Sequence, residues 1–417
     1  MTTLPVSTQQ VRDLYTRFPY PPVGVTAERG TPIPAILDYT RHIFWPGRSE
    51  LAGLRVLDAG CGTGRTAVAI ARDYPEVEVL GIDLSEASLD RARLLAHAAN
   101  VGHNLQWKML PIEEVGTLGQ EFDYIIASGV IHHLASPEHG LRALTDVLAP
   151  TGGMFLMVYA TYGRAGVYML QDAIRLLGAG ADYPELVAMT RPLLEHLPAD
   201  HPFNALAWQD AIWKDDAGIV DLLLHVRDRS YTVPQLFALL DGAGLRLTRF
   251  ADQVAYDPAM YVQQPELMER VAGLDARARA EVAELLGGRM RKHAAYVTRA
   301  TYTPFQPTPT GLVLLALHPR RSPLFRWDEL RVVGKKQRKQ FRLTEGAGSE
   351  AHTREFDFAA WQLAVVSECD GIRTAMDVFN LPQVQRQIPG DNPDAKLQRF
   401  GELLEILAAG EVIWCES

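Results

Sequence analysis

The chain has 417 residues, of which 47% are hydrophobic and 22% are charged, and its formal net charge is −9. This length is sufficient for two or three domains, and the acidic balance argues against a general nucleic-acid-binding protein. The three cysteines are scattered and form no C-x-x-C pair, which predicts neither a disulfide framework nor a metal site. The sequence has no secretory signal and no apolar run of about 18 residues, so we expect a cytoplasmic protein without a membrane span.

The first predicted elements are two short helices. Residues 7–10, Ser-Thr-Gln-Gln, have the pattern of a capping box with Ser7 as the N-cap, which predicts a helix through Tyr15. Residues 18–22, Phe-Pro-Tyr-Pro-Pro, cannot continue that helix, and a second helix is predicted over 36–44. We interpret residues 1–50 as an amino-terminal cap, in which 18–22 forms either a lid over a ligand or a rigid surface turn.

Strands and helices then alternate to about residue 160. Short apolar runs predict strands, and apolar residues at helical spacing predict helices. The predicted strands are 54–59, 77–82, 105–109, 122–128 and 154–159, with helices at 66–73, 86–100 and 141–148. This alternation predicts an α/β domain with a Rossmann-like, mostly parallel sheet.

The pattern becomes mainly helical after residue 160. We expect strands at 245–250 and 311–318 to complete a seven-stranded sheet as an antiparallel pair, with helical insertions at about 165–240 and 256–310. The main domain would span 51–320, followed by a linker at 320–323. Residues 324–417 are predicted to form a small α+β domain, either winged-helix-like or a dimerisation domain. Its predicted elements are a strand at 341–343, helices at 359–369, 372–379 and 395–409, and a strand at 411–414.

The turn after the first strand of the main domain carries the most chemical information. Glycines stand at positions 60, 62 and 64, and the next strand ends in Asp83. Glycines allow a backbone to approach a ligand closely, and a carboxylate can accept both hydroxyls of a ribose. Arg65 replaces the third glycine of a dinucleotide fingerprint, and Asp58 would repel a pyrophosphate. The pattern favours a nucleoside joined to a cationic amino acid, of which S-adenosylmethionine is the common example.

On these residues the chain resembles class I S-adenosylmethionine-dependent methyltransferases. The FPYPP segment at 18–22, the GVIHHL turn at 129–134, and residues 158–164 and 221–233 resemble one bacterial subset of them. The resemblance implies that the main domain is a methyltransferase domain and that S-adenosyl-L-homocysteine is the product.

The resemblance also implies a set of cofactor-binding residues. Asp58 and the glycines would flank the methionine moiety, and Asp83 would bind the ribose. Leu84 would lie against one face of the adenine, and residues 110–112 would pack on the other face. No aspartate follows the third strand to take the adenine amino group, so Glu113 or a backbone carbonyl would do so. The full implied set is Tyr20, Asp58, Ala59, Gly60, Cys61, Gly62, Thr63, Gly64, Asp83, Leu84, Ser88, Leu110, Pro111, Ile112, Ser128, Gly129 and Val130.

Candidate catalytic residues follow the fourth and fifth strands. His132 and His133 lie at the carboxyl end of a central strand, where open α/β sheets bind ligands. The alternatives are that either residue acts as a general base, or that one or both only pack and hold the turn in place. Tyr159, Tyr162 and Arg164 could line an acceptor pocket or clamp a substrate carboxylate, or Arg164 could cap a helix end.

Two charged segments have less specific patterns. For the polar cluster of Asp221, His225, Arg227, Asp228 and Arg229, a solvated, salt-bridged loop is favoured over substrate contact. The basic run from Arg331 to Arg342 is interpreted as a solvated edge, and a nucleic-acid partner is not expected.

The predicted reaction is methyl transfer to an N, O or C nucleophile. The methyl group of a sulfonium is already electrophilic, so alignment supplies much of the catalysis and no catalytic triad need be visible. The helical insertions favour an enclosed pocket for a small molecule. A protein or peptide side chain is the alternative acceptor, and a cofactor-binding sensor or scaffold is the alternative function. The carboxy-terminal domain could support a homodimer.

Overall fold

The computed structural model describes most of the chain. The described residues are 6–21, 33–45, 48, 50–206, 215–304, 318–321, 331–333, 339–345, 352–370, 373–390, 392–409 and 413–416. The chain divides into two compact units, one formed by residues 1–28 with 51–303 and the other by residues 29–50 with 304–417. No helix in the described part of the chain is both long and apolar enough to cross a lipid bilayer.

The first unit is built on a seven-stranded sheet with the order β3-β2-β1-β4-β5-β7-β6. The strands β1 to β5 pair in parallel, whereas β7 is antiparallel to both β5 and β6. The predicted Rossmann-like, mostly parallel sheet is confirmed. Its strands are β1 (Arg55–Ala59), β2 (Glu78–Asp83), β3 (Leu105–Met109), β4 (Phe122–Ser128), β5 (Leu148–Tyr159), β6 (Leu245–Phe250) and β7 (Lys292–Arg299).

The seventh strand differs from the prediction. Residues 292–299 were expected to be helical, but they form β7, which lies between β5 and β6. The alanines and charged ends of this segment favour a helix locally, and pairing on both sides overrides that preference. The expected strand at 311–318 lies outside the described residues except for His318. The second insertion therefore ends before residue 292.

Helices flank this sheet, and their caps explain where several of them begin. Ser136 accepts a hydrogen bond from the backbone of His139 at 3.2 Å, and Pro137 occupies the first turn, so this helix begins four residues before the predicted 141. Ser85 caps the helix after β2 in the same way. The helices are α3 (Arg65–Asp73), α4 (Glu86–Ala98), α5 (Pro137–Asp146), α9 (Val233–Gly242), α10 (Pro265–Ala272) and α11 (Ala276–Gly287).

A second cluster of buried side chains joins the amino-terminal helix to the first insertion. The helix α1 (Val6–Arg17) contributes Leu14 to this cluster. The insertion contributes side chains from α6 (Ala165–Leu177), α7 (Tyr183–Glu195) and α8 (Asp216–Leu223). Because α1 begins at Val6, Ser7 lies within its first turn and is not the predicted N-cap, and the helix continues two residues beyond Tyr15.

The second unit has its own apolar core, which includes Phe379, Phe400 and Leu404. Two small antiparallel sheets accompany its helices, with the orders β11-β10-β9 and β12-β8. Arg320 and Arg321, predicted to be linker, lie in β8. The described elements are α2 (Leu37–Phe44), β8 (His318–Arg321), β9 (Arg331–Val333), β10 (Lys339–Glu345), β11 (His352–Phe358), α12 (Ala360–Ser367), α13 (Ala375–Asn380), α14 (Pro382–Gln385), α15 (Pro393–Ala409) and β12 (Ile413–Glu416).

Candidate active site

The turn between β1 and α3 has a backbone that only glycine adopts easily. Gly60, Gly62 and Gly64 have φ values of 72°, 52° and 84°. The backbone N–H groups of Gly60 and Cys61 donate to the carbonyl of Ile82 at 2.8 and 2.9 Å. The turn is thereby fixed to the end of β2, beside Asp83.

Close neighbours also require glycine in this turn. A Cβ on Gly62 would lie 2.6 Å from the carbonyl oxygen of Tyr20, and one on Gly64 would lie 2.6 Å from the ring of Trp107. The hydroxyl of Thr63 donates to the carbonyl of Pro21 at 3.0 Å. The chain after α1 therefore lies directly on the glycine turn. Trp107, which the sequence analysis did not single out, supports the turn from β3.

Two carboxylates flank the turn. Asp83 is half-buried, and its two oxygens accept the N–H groups of Gly62 and Ser85, each at 2.9 Å. Burial raises the pKa of Asp83, and these hydrogen bonds oppose the shift. Asp58 is 4% exposed, accepts the N–H of Ala67 at 3.1 Å, and burial raises its pKa to about 7. Each carboxylate oxygen can accept a further hydrogen bond, so Asp83 fits a ribose and Asp58 fits an ammonium group.

The residues predicted to face the adenine lie beside β3. The N–H of Leu110 donates to the carbonyl of Asp83 at 3.0 Å, which brings the segment after β3 next to Asp83. Leu110 and Ile112 are buried in the main core, whereas Leu84, Pro111 and Glu113 are half-buried. Ser88 is buried on α4, and its N–H donates to the hydroxyl of Ser85 at 3.2 Å.

The turn after β4 packs against the glycine turn. Gly129 has a φ of 77°, and its N–H donates to the carbonyl of Met157 on β5 at 3.1 Å. The side chain of Val130 occupies the space that a Cβ on Gly60 would need. Ser128 is exposed at the tip of β4. The two turns that were predicted to hold the cofactor are therefore in contact.

The rings of His132, His133 and His225 pack together in and beside this turn. His132 and His133 are both buried, and the ring of His132 lies 3.8 Å from that of Tyr159. His133 stacks on His225 with 3.8 Å between ring centroids and 27° between ring planes. Burial lowers the pKa of His132 and of His225 well below the usual value, and that of His133 to about 4. All three imidazoles are therefore neutral at pH 7.

One residue holds the stacked pair through its backbone. The Nδ1 atom of His133 lies 2.6 Å from the carbonyl oxygen of Arg227. The N–H of the same Arg227 donates to Nδ1 of His225 at 3.0 Å. The Nε2 atoms of both rings are buried and have no hydrogen-bond partner among the described residues, and the same is true of both nitrogens of His132.

The arginine after β5 pairs with a carboxylate of the chain itself. Arg164 is 1% exposed, its guanidinium lies 3.5 Å from the ring centroid of Tyr159, and it donates to Asp228 at 2.8 Å. Gln171 donates to the same oxygen of Asp228 at 3.0 Å. Tyr162 is 40% exposed.

The amino-terminal helix contributes one more polar contact. The hydroxyl of Tyr15 donates to Asp221 at 2.9 Å, and the ring of Tyr15 lies 5.6 Å from that of His225. Burial raises the pKa of Asp221 to about 6. The solvated loop predicted for 221–229 is wrong for Asp221 and Asp228, because both carboxylates are buried. The missed signal is α8, in which Asp221 is surrounded by apolar residues that are themselves buried.

The arrangement places the glycine turn beside a cluster of polar side chains at the carboxyl edge of the sheet, here called the histidine pocket. The cluster consists of His132, His133, His225, Tyr15 and Tyr159 with the paired Arg164, and its imidazoles are neutral. In the described part of the chain, no three His, Cys, Asp or Glu side chains are placed to hold a metal ion. Chemically, this site can orient a neutral acceptor and take up a proton.

Comparison with known proteins gives three informative matches. A family model for a methyltransferase domain matches residues 57–155. A ubiquinone biosynthesis O-methyltransferase of Ruegeria pomeroyi is 36% identical over 218 residues, which cover 47% of this chain and 85% of that protein. An uncharacterised protein of Synechococcus sp. is 29% identical over 331 residues, which cover 77% of this chain and 78% of the relative.

A solved structure also shares the fold. PKMT2 from Rickettsia typhi, solved in complex with AdoHcy, has a TM-score of 0.64 and 14% sequence identity. The match covers 92% of this chain and 75% of PKMT2. At this identity the likeness concerns the fold alone.

Proposed function

The chain belongs to the S-adenosylmethionine-dependent methyltransferases, and from that premise we propose that it methylates a small-molecule acceptor in the pocket beyond the glycine turn. The observation that carries this proposal is the pair of buried, neutral imidazoles after β4, His132 and His133, which pack on Tyr159 and on His225, with Tyr15 of α1 beside His225. S-adenosylmethionine supplies an electrophilic methyl group when bound, so the residues of the pocket have to align the acceptor and accept its proton.

In the proposal the cofactor occupies the turn between β1 and α3. Asp83 binds the ribose hydroxyls, Asp58 faces the amino group, and Gly129 lies under the methionine end. Tyr20 covers the turn as part of a lid, as the contact between its carbonyl and Gly62 supports. The FPYPP segment and the GVIHHL turn would mark the bacterial subset named above.

The ribose assignment has a direct test. Asp83→Ala should weaken the binding of S-adenosylhomocysteine by about 1.5–3 kcal/mol, because charge-assisted hydrogen bonds are lost. Titration calorimetry on the folded variant measures this change. Asp90→Ala, an exposed carboxylate on the next helix, is the matched control and should bind normally. Equal affinity for the two variants would remove Asp83 from the site.

Two observations support a small molecule, with oxygen as its acceptor atom. The pocket is assembled from buried side chains, and the relative with 36% identity is named as an O-methyltransferase. The alternative acceptor is a protein or peptide side chain, presented with the help of residues 324–417 as a docking or dimerisation domain. The alternative function is a sensor that binds the cofactor without turnover.

Methyl-labelled cofactor separates these alternatives. The protein is incubated with labelled S-adenosylmethionine and fractionated cell extract, with Asp83→Ala as the weak-binding control at a cofactor concentration below the Kd of the variant. Label in low-molecular-weight fractions that depends on Asp83 is the expected result. Label in protein would instead establish the alternative acceptor. Saturable cofactor binding with no label in any fraction would identify a sensor.

A further inference from the structure

The stacked histidines in the pocket are held in opposite tautomers. A carbonyl oxygen only accepts hydrogen bonds, so the Nδ1 atom of His133, 2.6 Å from the carbonyl of Arg227, carries the proton. A backbone N–H only donates, so the Nδ1 atom of His225, 3.0 Å from the nitrogen of Arg227, is unprotonated. In a neutral imidazole the other nitrogen has the complementary role. His133 therefore presents a lone pair at Nε2, and His225 presents an N–H at Nε2.

The two Nε2 atoms are the ring nitrogens of the pair that are left for a further hydrogen bond. Both are buried, and neither has a hydrogen-bond partner among the residues that the structure describes. Buried polar atoms in proteins are nearly always paired, so each unpaired one calls for a cause, such as a bound water, a bound ligand or a catalytic role. The stacked pair thus carries one acceptor and one donor that no described residue uses, and His133 lies in the turn that is predicted to hold the methionine end of the cofactor.

The charged and titratable groups around the pair keep it neutral. Arg164 and Arg227 oppose a positive charge on His133, and His133 opposes one on His225. Asp228 favours a charge on His225, but burial is the larger effect there. The assignment of tautomers therefore applies at neutral pH.

We propose that His225 is a second catalytic residue of the acceptor site, and that His133 and His225 together select a hydroxyl group as the methyl acceptor. This inference rests on the proposed function. His133 receives the hydroxyl proton at Nε2, and the N–H of His225 holds the hydroxyl oxygen.

The number of lone pairs on the acceptor atom explains the selectivity. A hydroxyl oxygen has one proton and two lone pairs, so it can donate to His133, accept from His225 and still direct a lone pair at the methyl carbon. An amine nitrogen has a single lone pair, and a bond from His225 would occupy the pair that must attack. A carbon nucleophile offers no acceptor to His225 at the attacking atom.

The step balances in charge and atoms. The oxygen–carbon bond forms while the carbon–sulfur bond breaks, the electron pair of the broken bond stays on sulfur, and the hydroxyl proton passes to His133. The oxygen becomes strongly acidic as its new bond forms, so a weakly basic imidazole is sufficient. The positive charge of the methyl donor is thereby replaced by an imidazolium in the same pocket, which later releases the proton to water.

The tautomers can be observed without turnover. The full-length protein is labelled with ¹⁵N-histidine and saturated with S-adenosylhomocysteine, and long-range ¹H–¹⁵N spectra distinguish Nδ1–H from Nε2–H rings. His133→Asn and His225→Asn assign the signals, since asparagine can keep the bond to the backbone of Arg227 while removing Nε2. The expected result is Nδ1–H for His133 and Nε2–H for His225 at pH 7. The same tautomer in both rings, or a charged ring, would overturn the inference.

The role of the His225 N–H is measured on the fraction that the wild-type protein labels. His225→Asn should lower kcat/KM by about 100-fold, the usual effect of removing one positioned donor, with unchanged affinity for S-adenosylhomocysteine. His225→Gln places an N–H near the Nε2 position and should recover at least part of the loss. His97→Asn, at an exposed histidine on α4, is the matched control. Wild-type kcat/KM in folded His225→Asn would contradict the proposal.

The chemical form of the labelled product separates this inference from the proposed function. A methyl ether is expected from a hydroxyl acceptor. Label on nitrogen, on carbon or in a methyl ester of a small molecule would overturn the hydroxyl assignment and leave the proposed function standing. Absence of label from every small molecule would overturn both.

Discussion

The glycine turn and the histidine pocket adjoin each other at one edge of the sheet, and they are held by different kinds of contact. The turn is fixed mainly by backbone hydrogen bonds between β1, β2 and the residues that follow them, such as those from Gly60 and Cys61 to Ile82. The pocket is fixed by side chains from distant segments. Tyr15 and Asp221 are 206 positions apart, and His133 and Arg227 are 94 positions apart.

Because of this difference, the two regions tolerate different amino-acid substitutions. A turn held by its own backbone depends on φ angles and on the absence of Cβ atoms, so its sensitive positions are glycines. A pocket held by buried polar side chains depends on each partner being present, because removal of one leaves the other desolvated and unpaired. Conserving the turn while changing the pocket is therefore a physically simple way to keep a methyl donor and alter the acceptor.

The largest effect is expected at the ion pair that supports the pocket. Asp228→Ala leaves the buried guanidinium of Arg164 without this carboxylate and should lower the free energy of unfolding by about 3 kcal/mol. Urea denaturation measures the change. Asp228→Asn keeps the shape and an acceptor oxygen, so it should lose less.

The control for this prediction is an exposed pair on the first insertion. Asp172 and Arg175 lie on α6 and are 70% and 71% exposed. Asp172→Ala should cost less than about 0.5 kcal/mol, because water screens the pair. A similar cost for Asp228→Ala and Asp172→Ala would mean that the pocket does not depend on its buried partners.

A smaller effect is expected where the amino-terminal segment meets the turn. Gly53 and Gly62 both have positive φ values, 76° and 52°. A Cβ on Gly53 would have no atom within 4 Å, whereas a Cβ on Gly62 would lie 2.6 Å from the carbonyl oxygen of Tyr20. Gly53→Ala should cost about 1 kcal/mol for the left-handed backbone alone. Gly62→Ala should cost about 1 kcal/mol more for the displaced segment, measured by the same denaturation experiment. Equal costs would show that the segment does not press on the turn.

The same contrast explains how much the sequence could predict. The five parallel strands and the glycine turn follow from short-range patterns, and the structure confirms the sheet that they predicted. The strand Lys292–Arg299 was missed because its alanines read as helical and its place is set by β5 and β6, far away in the chain. The prediction placed the seventh strand at 311–318 instead, because that segment is apolar.

The pocket was predictable only in part for a related reason. His132 and His133 follow a strand and could be placed at the sheet edge. His225 and Asp221 occur in a polar stretch that looks solvated, and they join the histidine pocket only because α8 brings that stretch beside Tyr15 of α1. No periodicity within 221–229 encodes that contact, so the sequence alone favoured the wrong environment.

The smallest effect concerns Asp58 and is a pH dependence of cofactor binding. Burial raises the pKa of Asp58 to about 7 in the free protein. A cationic amino group beside it would stabilise the ionised form, so binding removes a proton at pH values below 7 and affinity falls as the pH falls. The affinity for S-adenosylhomocysteine should decrease about tenfold between pH 7.0 and 5.5, a range in which the ligand amino group stays charged.

Calorimetry in buffers of different ionisation enthalpy measures both the affinity and the released proton. Asp58→Asn can still accept the N–H of Ala67 but cannot titrate, so its weaker binding should be nearly independent of pH. If Asp58→Asn retains the wild-type slope, the titrating group lies elsewhere, and the turn recognises the amino acid end of the cofactor through its backbone alone.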